Sequence, residues 1–160
     1  MSFDEAKYDA FSKRMEETYP KMFSEPYGGF CVGEGWWPII ESLCKQIQSH
    51  IDWTNERHVA LKKDNQYNLK IPRKVKQVVV GQIKEKFGGL RFYYEGGDDQ
   101  IYGMVRMAES WAAKTCEKCG DQGKHRNGGW IKTLCDKHEK ERQEEIRKRK
   151  FEENQLHLSL

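Results

Sequence analysis

The chain has 160 residues, of which 33% are charged, 37% hydrophobic and 12% aromatic. This length predicts one domain, or one domain with an appendage, and the aromatic content argues against wholesale disorder. There is no run of about 18 apolar residues, so we expect no membrane span. The N-terminal segment MSFDEAKYDAF lacks the features of a secretion signal, which predicts a cytoplasmic protein.

The net charge of +3 is unevenly distributed, because residues 1–72 carry −2 and residues 73–160 carry +5. A partner that prefers a basic surface would therefore meet the second half of the chain. The five cysteines are an odd number and accompany no export signal. This combination favours a metal site over a disulfide framework.

Two helices are predicted in the first third of the chain. The first begins at Ser2, which forms a capping box with Glu5, and ends before Pro20. Residues 20–35 are rich in proline and glycine and indicate a loop. The second helix begins near Trp37, and residues 54–72 are predicted to be irregular. Its apolar stripe consists of Ile40, Leu43, Cys44, Ile47 and Ile51.

Residues 76–95 are predicted to form a β-hairpin, with a single helix as the alternative. The β-branched run Val78–Val80 favours strands, and Gly88-Gly89 suits a two-residue turn. In this register Phe87 faces Leu90, and Glu85 is a polar misfit on the apolar side. The apolar side then holds Val79, Ile83, Phe87, Leu90, Phe92 and Tyr94. The other side holds Val80, Gln82, Lys84, Lys86, Arg91 and Tyr93.

Two further helices are predicted in the second half. One follows Asp98 and runs to about Lys114. Its inward stripe consists of Ile101, Met104, Val105, Ala108, Trp111 and Ala112. The other spans about Asp136 to Asn154 and has few apolar residues, so it is expected to project from the fold or to meet a partner.

The strongest chemical signal is Cys116-x2-Cys119 followed by Cys135-x2-His138. Zinc prefers four soft or borderline ligands at tetrahedral angles, and this paired spacing is typical of zinc ribbons and related modules. His125 is an alternative fourth ligand. Four protein ligands leave no open position, so we expect one structural Zn²⁺. Trp130 and Ile131 are expected to pack against the metal knuckles.

Two groups of basic residues are candidates for binding nucleic acid or another partner. Lys84, Lys86 and Arg91 surround Tyr93 on the polar side of the hairpin. Lys124, Arg126 and Lys132 lie in the loop of the metal module. The alternative in both cases is an ordinary solvated surface.

Trp36 and Trp37 either line a groove or fill the core, and Cys31 has no assigned role. Signatures of a P-loop, a serine hydrolase, a metalloprotease and a dinucleotide site are absent from the sequence. We therefore lean towards a protein without enzymatic activity and identify no catalytic residues.

The segment QIKEKFGGLRFYY (82–94) is followed by C-E-x-C-G and G-W-I-x-T-L-C-x-x-H (116–138). Together with G-W-W-P-I-I-E-S-L-C (35–44), this arrangement resembles a group of small uncharacterised phage and bacterial proteins over residues 28–138. The resemblance implies a phage accessory factor that acts on a host protein or host nucleic-acid machinery in the host cytoplasm.

The predicted fold is α+β, with packed helices, a small antiparallel sheet, a C-terminal zinc-ribbon-like module and a projecting charged helix. The predicted divisions are a core at 1–114, a zinc module at 115–138 and a charged helix and tail at 139–160. Three functions follow as hypotheses. The first is a zinc-stabilised, non-enzymatic protein that binds a host protein or protein complex, the second a direct nucleic-acid binder, and the third a small-molecule or nucleotide binder or small enzyme.

Overall fold

The computed structural model describes residues 4–157, and side chains through residue 155. This part of the chain has an α+β fold with four α-helices and a small mixed sheet. The helices are α1 (Glu5–Thr18), α2 (Trp37–Lys63), α3 (Asp99–Ala112) and α4 (Asp136–His157). The strands are β1 (Phe30–Cys31), β2 (Lys76–Lys86), β3 (Gly89–Gly97), β4 (Lys124–Arg126) and β5 (Lys132–Leu134).

The first helix is capped by Asp4, whose Oδ1 accepts a hydrogen bond from Lys7 N at 3.2 Å. Ser2, the predicted start of this helix, lies outside the described residues. Phe11 and Met15, which are four residues apart and therefore share one face of the helix, are buried. The helix ends before Pro20, a turn follows at residues 20–22, and the chain then reaches β1.

The second helix is entered through a short 3-10 helix at Glu34–Trp36, and Pro38 lies in its first turn. Its predicted apolar stripe is buried. The prediction of irregular structure at 54–72 is wrong for residues 54–63, which continue α2. In this extension the side chain of Asn55 exchanges two hydrogen bonds with the backbone of Val75, at 2.8 and 3.0 Å, and so ties the helix to the start of the hairpin.

The main sheet has the order β1-β2-β3. The predicted hairpin is confirmed, since β2 and β3 pair antiparallel. The sheet is nevertheless mixed, because β1 lies in the predicted loop and pairs parallel to β2. This third strand is only two residues long, which is why periodicity gave no signal for it.

The hairpin turn is centred on Phe87 and Gly88, with φ values of 52° and 74°, and not on Gly88-Gly89 as predicted. Positive φ at both central residues defines a type I′ turn. Glu85 consequently pairs with Leu90, and the register is irregular around Gly81. Phe87 is therefore 69% exposed and Val80 is buried, the reverse of the predicted sides.

The inner face of the sheet packs against α2 and α3. Asp98 caps α3 by accepting a hydrogen bond from Ile101 N at 3.0 Å. Trp111 is 67% exposed, so its predicted inward position is wrong, whereas Ile101, Val105, Ala108 and Ala112 are buried. None of the helices in residues 4–157 has the length and apolarity needed to cross a bilayer.

Candidate metal centre

Four side chains from both halves of the predicted motif converge after α3. The ligand atoms of Cys116, Cys119, Cys135 and His138 all lie within 4.8 Å of one another. The Sγ atoms of Cys119 and Cys135 are 3.9 Å apart. His138 Nδ1 lies 3.4 Å from Cys116 Sγ and 3.3 Å from Cys135 Sγ. This arrangement is compatible with one metal ion.

Local backbone geometry explains how each pair of ligands is presented. Between the first two cysteines the chain folds back, and Gly120 N donates to Cys116 O at 2.9 Å. Gly120 has φ +83°, which glycine adopts without steric cost. Cys135 directly follows β5, and His138 lies in the first turn of α4. His125, the alternative ligand, lies in β4 outside this cluster.

The turn that carries Cys116 and Cys119 contacts the short 3-10 helix before α2, and the acceptors on the turn are backbone carbonyl oxygens. Gly35 N donates to Glu117 O at 2.8 Å, and Trp36 Nε1 donates to Thr115 O at 2.8 Å. A Cβ atom on Gly35 would overlap the carbonyl oxygen of Cys116. The glycine at position 35 is therefore needed for the close approach of the two segments.

Residues 115–138, which carry the four ligands and are called the metal module below, also contact the hairpin. This second contact is ionic. Lys132 Nζ lies 3.0 Å from both Glu85 Oε2 and Glu117 Oε2. The carboxylate side chains are only 7% and 8% exposed. Trp130 Nε1 also donates to Glu85 Oε2 at 3.0 Å, and Gly88 N donates to Glu85 Oε1 at 2.7 Å. Glu85, the polar residue predicted on the apolar side of the hairpin, thus joins the hairpin to the metal module.

The pKa values of this bridge reflect its hydrogen bonds. Burial alone would raise the pKa of Glu85, but the donors Trp130, Gly88 and Lys132 outweigh it and hold the pKa below its ordinary value. Burial would likewise lower the pKa of Lys132, but Glu117 and Glu85 outweigh it and raise the pKa. Both shifts favour the charged forms, so the bridge is ionic at neutral pH.

The three basic residues predicted in the metal loop all have acidic partners within the chain. Lys132 occupies the bridge just described. Lys124 Nζ lies 3.4 Å from Asp136 Oδ1, and Arg126 pairs with the same carboxylate while its Nε donates to Leu134 O. Each of these cations thus lies beside a carboxylate of the chain, and a binding role for the loop stays a prediction.

The basic residues of the hairpin have a different environment. Lys84 and Arg91 are directly opposite each other on β2 and β3. Lys84 Nζ lies 5.2 Å from the ring centroid of Tyr93, which is 42% exposed. Lys86 is exposed. The predicted group is therefore assembled on one face, the outer face of the sheet.

Trp130 is 72% exposed and contacts Glu85, so its predicted packing against the metal knuckles is wrong. Its loop is fixed instead by Arg142 of α4, whose Nη2 donates to Gly128 O at 2.9 Å and to Trp130 O at 2.6 Å. Beyond Gln143 the side chains of α4 through residue 155 are exposed, except for the half-buried Ile146.

Of the two alternatives for the tandem tryptophans, Trp36 fills the core and is completely buried. Trp37 stacks on Phe11 with ring centroids 4.5 Å apart. An apolar cleft of about 380 Å³ lies instead between α2 and α3, with Met107 and Trp111 on its wall. Cys44 is buried in the core and Cys31 is exposed.

Comparison of the chain with models of known protein families, with curated proteins and with solved structures finds no match. The site is therefore interpreted from its own geometry. Sequence reasoning missed Glu85, Glu117 and Gly35 as residues that dock the metal module. The polar residue on the apolar side of the hairpin was the signal that could have identified Glu85.

Proposed function

We propose that the chain is a zinc-stabilised, non-enzymatic binding protein, which in a phage setting would bind or modulate a host protein or host nucleic-acid machinery. The observation that carries the proposal is the closed set of four ligands, three thiolates and one imidazole. A structural zinc ion takes four protein ligands and leaves no coordination position for a substrate.

The distances between ligand atoms support zinc. With Zn–S and Zn–N bonds of about 2.3 and 2.05 Å, a tetrahedral site has S···S separations of about 3.8 Å and S···N separations of about 3.6 Å. The Sγ atoms of Cys119 and Cys135 are 3.9 Å apart, and the S···N distances are 3.3 and 3.4 Å. An iron–sulfur cluster would prefer four cysteines.

We assign the metal a structural role, which is to hold the segments that carry its ligands in one rigid arrangement. The ligands link the end of α3 to the start of α4, and Glu117 and Lys132, which lie near them in the sequence, dock on the core. His138 Nε2 also lies 3.8 Å from Glu141 Oε2, a carboxylate of the kind that orients metal-bound histidines. Loss of zinc would therefore loosen both the module and its contacts with the hairpin.

Elemental analysis tests the proposal. Protein purified without chelator should contain about one zinc per chain, and Cys116→Ser should lower both the zinc content and the unfolding temperature. Cys31→Ser is the matched control, because Cys31 is exposed and outside the cluster. A metal content near zero in the folded wild type, or equal zinc in both variants, would contradict the proposal.

A further inference from the structure

We infer that the outer face of the main sheet binds single-stranded nucleic acid, with Lys84, Lys86 and Arg91 on the phosphates and Tyr93 stacked on a base. The inference rests on the proposed function, in that it names the partner class of the binding protein. It concerns a surface separate from the metal ligands, so the two can be tested separately.

The register assigns these residues to one side of the sheet. Phe30, Ile83 and Phe92 are adjacent on the three strands and buried, so they define the inner face. Side chains alternate along a strand. The neighbouring positions Cys31, Lys84 and Arg91 therefore form a row on the outer face, and Tyr93 opposite Gln82 forms the next row.

The charges on this face lack acidic partners. Among the side chains of residues 4–155, no ion pair involves Lys84, Lys86 or Arg91. Like charges placed directly opposite on antiparallel strands destabilise a sheet. An anion beside Lys84 and Arg91 would remove that repulsion, which makes the face complementary to a negatively charged partner.

The aromatic side chains identify the anion as a nucleic acid and not an acidic protein. Tyr93 is 42% exposed, and Phe87 at the adjacent turn is 69% exposed with Lys86 Nζ 5.5 Å from its ring centroid. Flat, solvent-facing rings beside cations are the elements on which unpaired bases stack. A duplex hides its base faces, so the arrangement favours a single strand.

The cationic part of the face has a clear limit. Glu95, opposite Val79, is exposed and follows Tyr93 by two residues on β3. Lys84 and Lys86 are separated by about 6.7 Å along β2, a distance that successive phosphates of an extended strand can match. The binding path is therefore confined to the half of the ribbon nearest the turn.

Fluorescence anisotropy with a labelled oligothymidylate of about 12 nucleotides tests the inference. Three phosphate contacts predict that log K falls with log salt with a slope of about −2 between 50 and 200 mM salt. The double variant Lys84→Gln/Arg91→Gln should reduce the magnitude of that slope by about 1.4. Its control is Lys148→Gln/Arg149→Gln, which makes the same charge change on exposed residues of α4.

Stacking is tested separately by Tyr93→Leu, which should weaken binding about tenfold. Tyr67→Leu is the control, because Tyr67 is 76% exposed and lies in the loop between α2 and β2, outside the strands. In the zinc-loaded wild type, the oligonucleotide should also slow alkylation of Cys31, measured on its own peptide by mass spectrometry.

Absence of binding at low salt would overturn the inference, as would equal weakening by the two double variants. Equally tight binding of a duplex, or competition by polyglutamate as effective as that by the oligonucleotide, would overturn the assignment to a single strand. Zinc content and circular dichroism are recorded for every variant. A chain that retains one zinc and binds no oligonucleotide refutes this inference and leaves the zinc-stabilised scaffold intact.

Discussion

The buried bridge between the hairpin and the metal module gives a prediction whose size follows from the structure. Lys132→Met keeps most of the aliphatic stem and removes the ammonium group. Glu85 and Glu117 then lose their shared cation while their side chains are 7% and 8% exposed. The variant therefore leaves two buried carboxylates without a counter-charge.

The expected cost is about 3 kcal/mol of unfolding free energy. At 3.0 Å and an effective dielectric constant of about 20, each ion pair attracts by about 5–6 kcal/mol, most of which desolvation offsets. Removing one partner of a buried pair typically costs about 3–5 kcal/mol. Because Lys132 is 30% exposed, the lower end applies. In a chain of this size this lowers Tm by about 6–12 °C.

Thermal and urea unfolding of the purified protein measure this effect. Lys124→Met is the matched control, since Lys124 pairs with Asp136, whose side chain is 85% exposed. Such a surface pair contributes about 0–1 kcal/mol. Adding Glu117→Gln to Lys132→Met should recover part of the loss, because it removes one of the uncompensated charges.

The pH dependence has a defined sign. The folded-state pKa of Glu85 is below its ordinary value, so its ionised form stabilises the fold above the ordinary carboxylate pKa. This contribution is lost as pH falls through the folded pKa. The difference in unfolding free energy between wild type and Lys132→Met should therefore become smaller in acid. Equal stability of Lys132→Met and Lys124→Met at neutral pH would refute the assignment of a buried bridge.

Two backbone positions and one cap give the remaining predictions. Gly35→Ala should lower Tm and zinc retention, because the added Cβ would overlap the Cys116 carbonyl oxygen. In Gly103→Ala the added Cβ meets no atom within 4 Å, so this variant in α3 should be more stable by about 0.5–1 kcal/mol. The reverse order in a melting experiment would contradict this. Asp98→Asn should cost up to about 1 kcal/mol near neutral pH. Burial would raise the pKa of Asp98, but hydrogen bonds with His50 and Ile101 hold it low. The difference in stability between wild type and Asp98→Asn should therefore be lost as pH falls through the folded-state pKa of Asp98. A difference that persists below that pH would contradict the prediction.

The sequence was most informative for features that depend on residues close together in the chain. Helical periodicity located α2 and its core stripe, and the Cys/His spacing identified four residues whose ligand atoms converge. The hairpin was predicted, but its turn was displaced by one residue. Glycine preference favoured Gly88-Gly89, whereas Gly88 O accepts a hydrogen bond from Thr133 Oγ1 at 2.6 Å and Glu85 must reach Lys132.

Long-range contacts account for what the sequence did not show. In the part of α2 past Thr54, Asn55 contacts Val75, which lies 20 residues away in the sequence. The ion pairs of Lys124, Arg126 and Lys132 depend on partners in other elements, so composition alone suggested a free basic loop. Neither the Asn55–Val75 contact nor these ion pairs produce a periodic pattern in the sequence from which they could be predicted.

The mounting of α4 has a mechanical consequence. The helix has 22 residues and is therefore about 33 Å long. Its first two turns are attached to the rest of the fold, where His138 joins the ligand cluster and Arg142 holds the loop at Trp130. Between Glu144 and Gln155 the side chains are exposed, except for the half-buried Ile146. A rotation of about 10° at this pivot moves the far end of the helix by about 6 Å. Small rearrangements of the ligand cluster at its base would therefore appear as displacements at the far end of the helix, which a distance probe can record.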